Sequence, residues 1–327
     1  MMLERKKVNV EYNGGILIRI ADRCILADPK SIPNVKPDLV LLSHAHSDHY
    51  SIRALRAIRK VPKVMSRATR EIIEKKHDVK LREVVDVEDG FCGEVNGIYL
   101  EAYNAGHCIG SLQFRLNFKD SIVYTGDVNL SKRLVLEKAR ILKGDVLIIE
   151  STYGLPSYIF PDRRKLYCEI LENIVGLMDM YDVVYVSGRS LGTLQELTFL
   201  LSVSRIGMPV VVHPAVYMYN LIHEKYGPPL GSYISTSKYI PGKPRGIHLI
   251  PLNLSLNAKL EPAIVCTGWS IRWNKSNAYP LSSHVDFSQL LEYVEKSGAE
   301  EVYTVYGFTK AFADYINSKL GIYAKPL

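Results

Sequence analysis

The chain has 327 residues, 47% of them hydrophobic and 23% charged, ordinary values for a globular protein with material for more than one domain. It has no apolar run near the ~18 residues of a membrane span, and its charged start MMLERKKVNV lacks a signal peptide's apolar centre, so a cytoplasmic protein with no membrane partner is expected. Five cysteines at 24, 92, 108, 168 and 266 share no CxxC spacing, which excludes a zinc ribbon or disulfide frame, and the net charge of +7 is compatible with a polyanionic partner.

The first thirty residues read as short strands: VNVEY, a turn at Asn13-Gly14-Gly15, ILIRI, a turn at Asp22-Arg23, then CILADP. PDLVLL (Pro37 to Leu42) is an apolar run of the kind that forms a buried strand. Directly after it comes SHAHSDHY, with His44, His46, Asp48 and His49 inside six positions. Ser51 is a candidate N-cap for the next helix, where Ile52, Leu55 and Ile58 recur at helical spacing. The histidines therefore sit on a strand-to-helix turn at a strand's carboxyl end, where α/β folds bind ligands. Imidazole and carboxylate are zinc donors, and four of them exceed what one tetrahedral ion takes from a tight turn; two neighbouring ions are expected.

PKVMS predicts another strand, ATREIIEKKH a helix, and Leu81 to Asn129 a mostly β region. DVLIIE, ending at Glu150, is a further buried strand. Two more strand ends carry donors: His107 in NAGHCIGS and Asp127 in YTGDVN. Either alone would be structural. Together, His44, His46, His107 and Asp127 supply one tetrahedral ion, while Asp48, His49 and Asp127 supply a second, with Asp127 bridging. After STYGLPSYIFPDRR comes a helix with the stripe Leu166, Ile170, Ile174 and Leu177. Arg163, Arg164 and Lys165 read as its solvated start. DVVYVSGRS is a strand, followed by a capping box of Thr193 and Glu196. GMPVVVHPA and PAIVCTGWS repeat the strand-then-loop pattern around a Pro- and Gly-punctuated stretch, Tyr226 to Pro251. The alternation predicts an inserted α/β domain. The tail reads helix, strand, helix, with Gly298 and Gly321 as stops.

HAHSDH, AGHCIGS and YTGD resemble the metallo-β-lactamase superfamily. IIESTYG, SGR with QEL, CTGWSIR and PLSSHVDF resemble its β-CASP branch, which comprises nucleases of DNA and RNA. The resemblance covers nearly the whole chain in the expected order. It implies an α/β fold, a metallo-β-lactamase αββα sandwich over residues 1–156 and 263–327 with an inserted α/β β-CASP domain over 157–262. It implies zinc at the two donor sets above, Asp48 orienting the attacking water, and Glu150 holding His284 as general acid for the leaving O3′. The chain departs from the polyadenylation-type pattern at VYTVYG, where Tyr306 replaces the histidine that completes the second metal. A phenol, with a pKa of ~10, is a poor zinc ligand. One zinc is expected, and the second is open between weak binding, a water in the vacancy and no ion.

That departure and TGW resemble the DNA-directed relatives, whereas IIESTYG is closer to the RNA-processing members. The expected function is a zinc-dependent nuclease, a 5′→3′ DNA exonuclease in end processing or repair, with nucleic acid, DNA over RNA, as its partner. The alternatives are an RNA-processing ribonuclease and a non-catalytic nucleic-acid-binding scaffold; the β-CASP motifs count against a small-molecule hydrolase. Candidate phosphate contacts are Gly188 and Arg189 ahead of a helix, Thr267, Gly268 and Ser270 with Arg272, and Ser283. Trp269 and Trp273 are candidate stacking rings.

Overall fold

Apolar residues on both faces of the early strands require cover on both sides, and the fold supplies it. The computed structural model describes residues 8–236, 245–273 and 275–327; the charged start and part of the Tyr226 to Pro251 stretch lie outside them. Strands β1 (Asn9–Tyr12), β2 (Ile16–Ile20), β3 (Arg23–Ala27), β4 (Leu39–Leu41), β5 (Lys63–Met65) and β6 (Val84–Asp86) form one sheet in chain order. The first three are antiparallel and the rest parallel. Helices α1 (Ile52–Ala57) and α2 (Arg67–His77) make the parallel crossovers. Ser51 caps α1, as expected, by accepting from Ala54 N.

Strands β7 (Phe91–Val95), β8 (Ile98–Asn104), β9 (Leu112–Asn117) and β10 (Ser121–Tyr124) form an antiparallel meander, and β11 (Val146–Ser151) adds in parallel. The chain then builds α3 (Arg163–Met178), β12 (Val183–Gly188), α4 (Thr193–Val203), β13 (Val210–Val212), α5 (Pro214–Tyr226), β14 (Ile234–Ser235), β15 (Gly246–Pro251), α6 (Leu252–Ala258), β16 (Ala263–Cys266) and β17 (Ala278–Tyr279). These six strands make a separate, all-parallel sheet in the order β14-β13-β15-β12-β16-β17. Finally α7 (Phe287–Ser297), β18 (Glu301–Gly307), α8 (Thr309–Tyr315) and β19 (Tyr323–Pro326) return, and β18 and β19 extend the meander sheet beyond β11.

The described chain divides into two compact units, residues 8–131, 138–157 and 285–327 against 132–137 and the described residues of 158–284. The return expected at residue 263 thus comes at Val285. Strand pairing is the reason: β16 lies against β12 and β17 against β16, so both stay with the second sheet.

In the first unit, Ile16, Ile18, Ile25, Leu39 and Leu41 of the first sheet share a core with Leu100, Phe114, Ile122, Ile148 and Val305 of the meander sheet. The alternate residues Val123, Leu147, Ile149 and Val302 pack on Phe287, Leu290 and Val294 of α7 and Phe312 of α8. Leu17, Leu26 and Val40, on the far face of the first sheet, are fully buried too. The order is helix, sheet, sheet, helix. Each such side chain contributes ~1.5–3 kcal/mol on burial, so the sandwich is firmly fixed where its strand ends present the loops described next. Among the described residues no helix is long and apolar enough to cross a membrane.

Candidate metal centre

Three loops of the first unit carry the donors. β4 leads into Ser43–Tyr50, β8 is followed by His107, and β10 by Asp127. His44, His46, His107 and Asp127 are all buried, and their ligand atoms lie within 4.8 Å of one another. His44 Nε2 and His107 Nε2 each stand 3.4 Å from Asp127 Oδ2, and His107 Nε2 is 3.0 Å from His46 Nδ1. The first expected set is therefore brought together.

The proton inventory says what this cluster wants. The single hydroxyl proton of Ser43 goes to Asp28 Oδ2 (2.5 Å), so in its 2.9 Å contact with His44 Nδ1 the imidazole must donate. That leaves His44 Nε2 as a bare lone pair, fully enclosed and without a hydrogen bond, facing a carboxylate. Two acceptors do not hold each other at that distance. A cation between them does, and three imidazoles with one carboxylate suit zinc.

Residues 13–149 match the sequence profile of the beta-lactamase superfamily domain. Over that segment the chain is similar to the metallo-β-lactamase superfamily. It is similar to a probable DNA ligase of Opitutus terrae, 26% identical, over 85% of this chain and 28% of that protein. It is also similar to an RNase J-like protein of Methanocaldococcus jannaschii, 30% identical over 54% of this chain and 46% of that one. A third relative, RNase aCSPSF2 of Saccharolobus solfataricus, is 27% identical over 63% and 47% of the two chains. These relatives support the β-CASP branch of the superfamily. The chain spans from about a quarter to half the length of these curated relatives.

Of the second expected set in this metallo-β-lactamase fold, His49 and Asp127 lie together, and a further carboxylate joins them. His49 Nε2 lies 3.2 Å from Asp127 Oδ1, but Asp48 is exposed and stands in none of the donor groups. Asp28, which sequence reasoning passed over, takes the place beside His49. It is fully buried at the end of β3, and its Oδ2 accepts from His49 Nδ1 (2.6 Å), Ser43 Oγ and Tyr124 OH (2.7 Å). This carboxylate fixes the orientation of the His49 ring and aims Nε2 at Asp127. Burial opposes a charge on His49, but Asp127 and Asp28 outweigh it and hold its pKa up to about 10. His44 moves down, chiefly through burial and then through the neighbouring His49. Asp28 was detectable as the acid ending CILADP, a strand adjacent to the one that carries the histidines.

Tyr306 ends β18 at φ +60°, with its ring centroid 4.5 Å from that of His49. Its hydroxyl is 3.1 Å from Tyr124 OH. Because Tyr124 gives its proton to Asp28, Tyr306 donates to Tyr124. Burial, and then Asp28, push the Tyr306 pKa well above the phenol range. It is a neutral hydroxyl in a chain of hydrogen bonds, as its chemistry implies.

Glu150 is fully buried at the end of β11, and its Oε1 accepts from Val128 N (2.7 Å), next to Asp127. His284 is the last residue of the second unit, with Ser283 before it buried. Its N–H donates to Ser282 Oγ (3.0 Å), and Val285 N then donates to Val128 O (3.0 Å) in the first unit.

In the second unit the two predicted phosphate loops come together. Gly188 ends β12, with Arg189 after it; Thr267, Gly268, Ser270 and Arg272 follow β16. The expected capping box of Thr193 and Glu196 does not form. Gly192 is the N-cap of α4, and Gln195 Oε1 takes its N–H at 2.6 Å. Glu196 instead points inward, to Arg133 (Nη2, 2.8 Å), Arg163 (Nη2, 2.6 Å) and Tyr167 OH. Arg163 is accordingly drawn into the interior and is not part of a solvated helix start. Burial alone would raise Glu196; Arg133 and Arg163 outweigh it and hold its carboxyl well below the usual carboxylate range.

Proposed function

We propose that this chain is a zinc-dependent nuclease, a 5′→3′ DNA exonuclease acting in end processing or repair, with zinc held by His44, His46, His107 and Asp127. One observation carries the reading: four enclosed donors converge, and one of them, His44 Nε2, has no hydrogen bond inside the protein. Bound zinc would lower the pKa of a water and polarise the phosphoryl group. The chain's own residues do the rest. Asp28 holds the His49 ring in one orientation, and Asp48, exposed on the same turn, orients the attacking water. As the P–O3′ bond breaks, His284 gives a proton to O3′, a role that contributes ~10²–10⁴-fold. Glu150 stiffens the Asp127 turn through Val128. In this reading the second unit is the β-CASP domain.

The relative named as a probable DNA ligase aligns over most of the chain, which supports DNA. A second reading, an RNA-processing nuclease, draws on the relatives named as RNases. Single-stranded DNA and RNA of one sequence, labelled at either end, separate the two. Stepwise loss from the DNA 5′ end, absent in His46→Ala, is the expected result. Preferred cleavage of RNA would move the protein to the second reading. No cleavage of either by zinc-loaded protein would leave a scaffold.

A further inference from the structure

Asp28, Pro29 and Lys30, consecutive in the first unit, brace the histidine turn along its whole length. Asp28 accepts from Ser43 N (2.8 Å), Ser43 Oγ and His49 Nδ1. Pro29 O accepts from Ser51 N (2.8 Å). Lys30 Nζ donates to Ser47 O (2.9 Å), at the middle of the turn. The brace is itself anchored, because Lys30 N (2.7 Å) and Ser31 N (2.9 Å) both donate to Gly14 O in the turn between β1 and β2. That position demands glycine: it sits at φ +75°, and a Cβ there would lie 2.7 Å from Ser31 O. Backbone bonds therefore fix where the Lys30 side chain starts, and Ser47 O fixes where it ends.

The Lys30 link differs in kind from the others. A carbonyl asks for a donor, not for a cation, and a neutral amide would serve it. An ammonium brings further N–H groups and a full positive charge. Lys30 is only partly exposed, and among the described residues it has no ion pair. Its charge stands beside Ser47, the residue between the buried His46 and the exposed Asp48. A cation that no carboxylate pairs, held at the rim of a turn of metal donors, favours an anion there.

We infer that Lys30 is a substrate contact of this centre: one N–H holds the turn at Ser47, and the others receive a phosphate oxygen of the bound strand. The inference rests on the nuclease reading for the identity of the strand, and adds to it a residue outside the donor set and outside the second unit. A lysine meets phosphate as a point charge. Such a contact positions a strand without reading its bases, so it serves DNA and RNA alike.

Fluorescein-labelled oligo(dT) and oligo(U) are titrated by anisotropy over a range of salt, in EDTA to stop hydrolysis. One phosphate contact on a single strand adds a slope of ~0.7 in log K against log salt, about fivefold in affinity near 0.1 M salt. Lys30→Met should lose both, and Lys30→Arg should keep most of both. Lys30→Gln keeps a donor for Ser47 O without the charge, and should bind as Lys30→Met does. Lys30→Gln as tight and as salt-dependent as wild type would reduce Lys30 to a brace and overturn the inference. So would an unchanged slope in Lys30→Met with the strand still bound; in either case the nuclease reading stands. Wild-type protein that neither binds nor cuts either strand would overturn both.

Discussion

Asp28 in the first unit and Glu196 in the second are both fully buried carboxylates, yet they are satisfied in opposite ways. Glu196 faces two guanidiniums supplied by the chain itself. Asp28 receives two hydroxyl donors and the N–H of His49, whose ring points on toward Asp127. The second unit balances its buried charge from within. The first leaves the enclosed His44 Nε2 without a hydrogen bond beside Asp127, an arrangement that a cation would complete. Stability and function are therefore tied together in one unit and separate in the other.

The largest break in this contrast should come from Arg133→Met, which strips Glu196 of half its compensation. Urea unfolding should show a loss of ~3–5 kcal/mol, and a loss below ~1 kcal/mol would mean that Arg163 suffices alone. Zinc should sharpen the contrast. At a hundredfold excess over its Kd it should stabilise by ~2.7 kcal/mol, read as amide protection gained in the first unit only and lost in His46→Ala. Protection gained equally by both units would erase the distinction.

The smallest effect concerns His223, buried in the second unit with Nε2 unbonded. Burial first, then Arg133, lower its pKa to about 4. Its folded pKa lies below the unfolded value, so the neutral imidazole's contribution is present above pH ~6.5 and is lost as pH falls toward 4. About 2 kcal/mol should be gone by pH 5. The non-titrating His223→Gln should flatten the curve there; an unchanged slope would assign the acid sensitivity elsewhere.

Much of this was legible locally. PDLVLL and DVLIIE are apolar runs bounded by turn formers, and SHAHSDHY places its donors within one turn, so strand, loop and ligands can be read together. Gly298 and Gly321 end their helices in the left-handed conformation, as a residue without a Cβ permits. What failed was long-range. A Thr and a Glu three apart satisfy the capping pattern, but the pattern cannot show that Arg133 and Arg163 compete for the same carboxylate. Nothing in PAIVCTGWS says which sheet it joins; only its pairing with β12 assigns β16 to the second unit. Asp28 is a single acid ending a strand; only the pairing of β3 with β4 makes it a neighbour of His49.

His44 and His46 follow β4 of the first sheet, whereas His107 and Asp127 follow β8 and β10 of the meander sheet. Whatever these four hold in common is a staple across the seam of the sandwich. An ion there would cross-link the two layers at that end, as a disulfide does two strands.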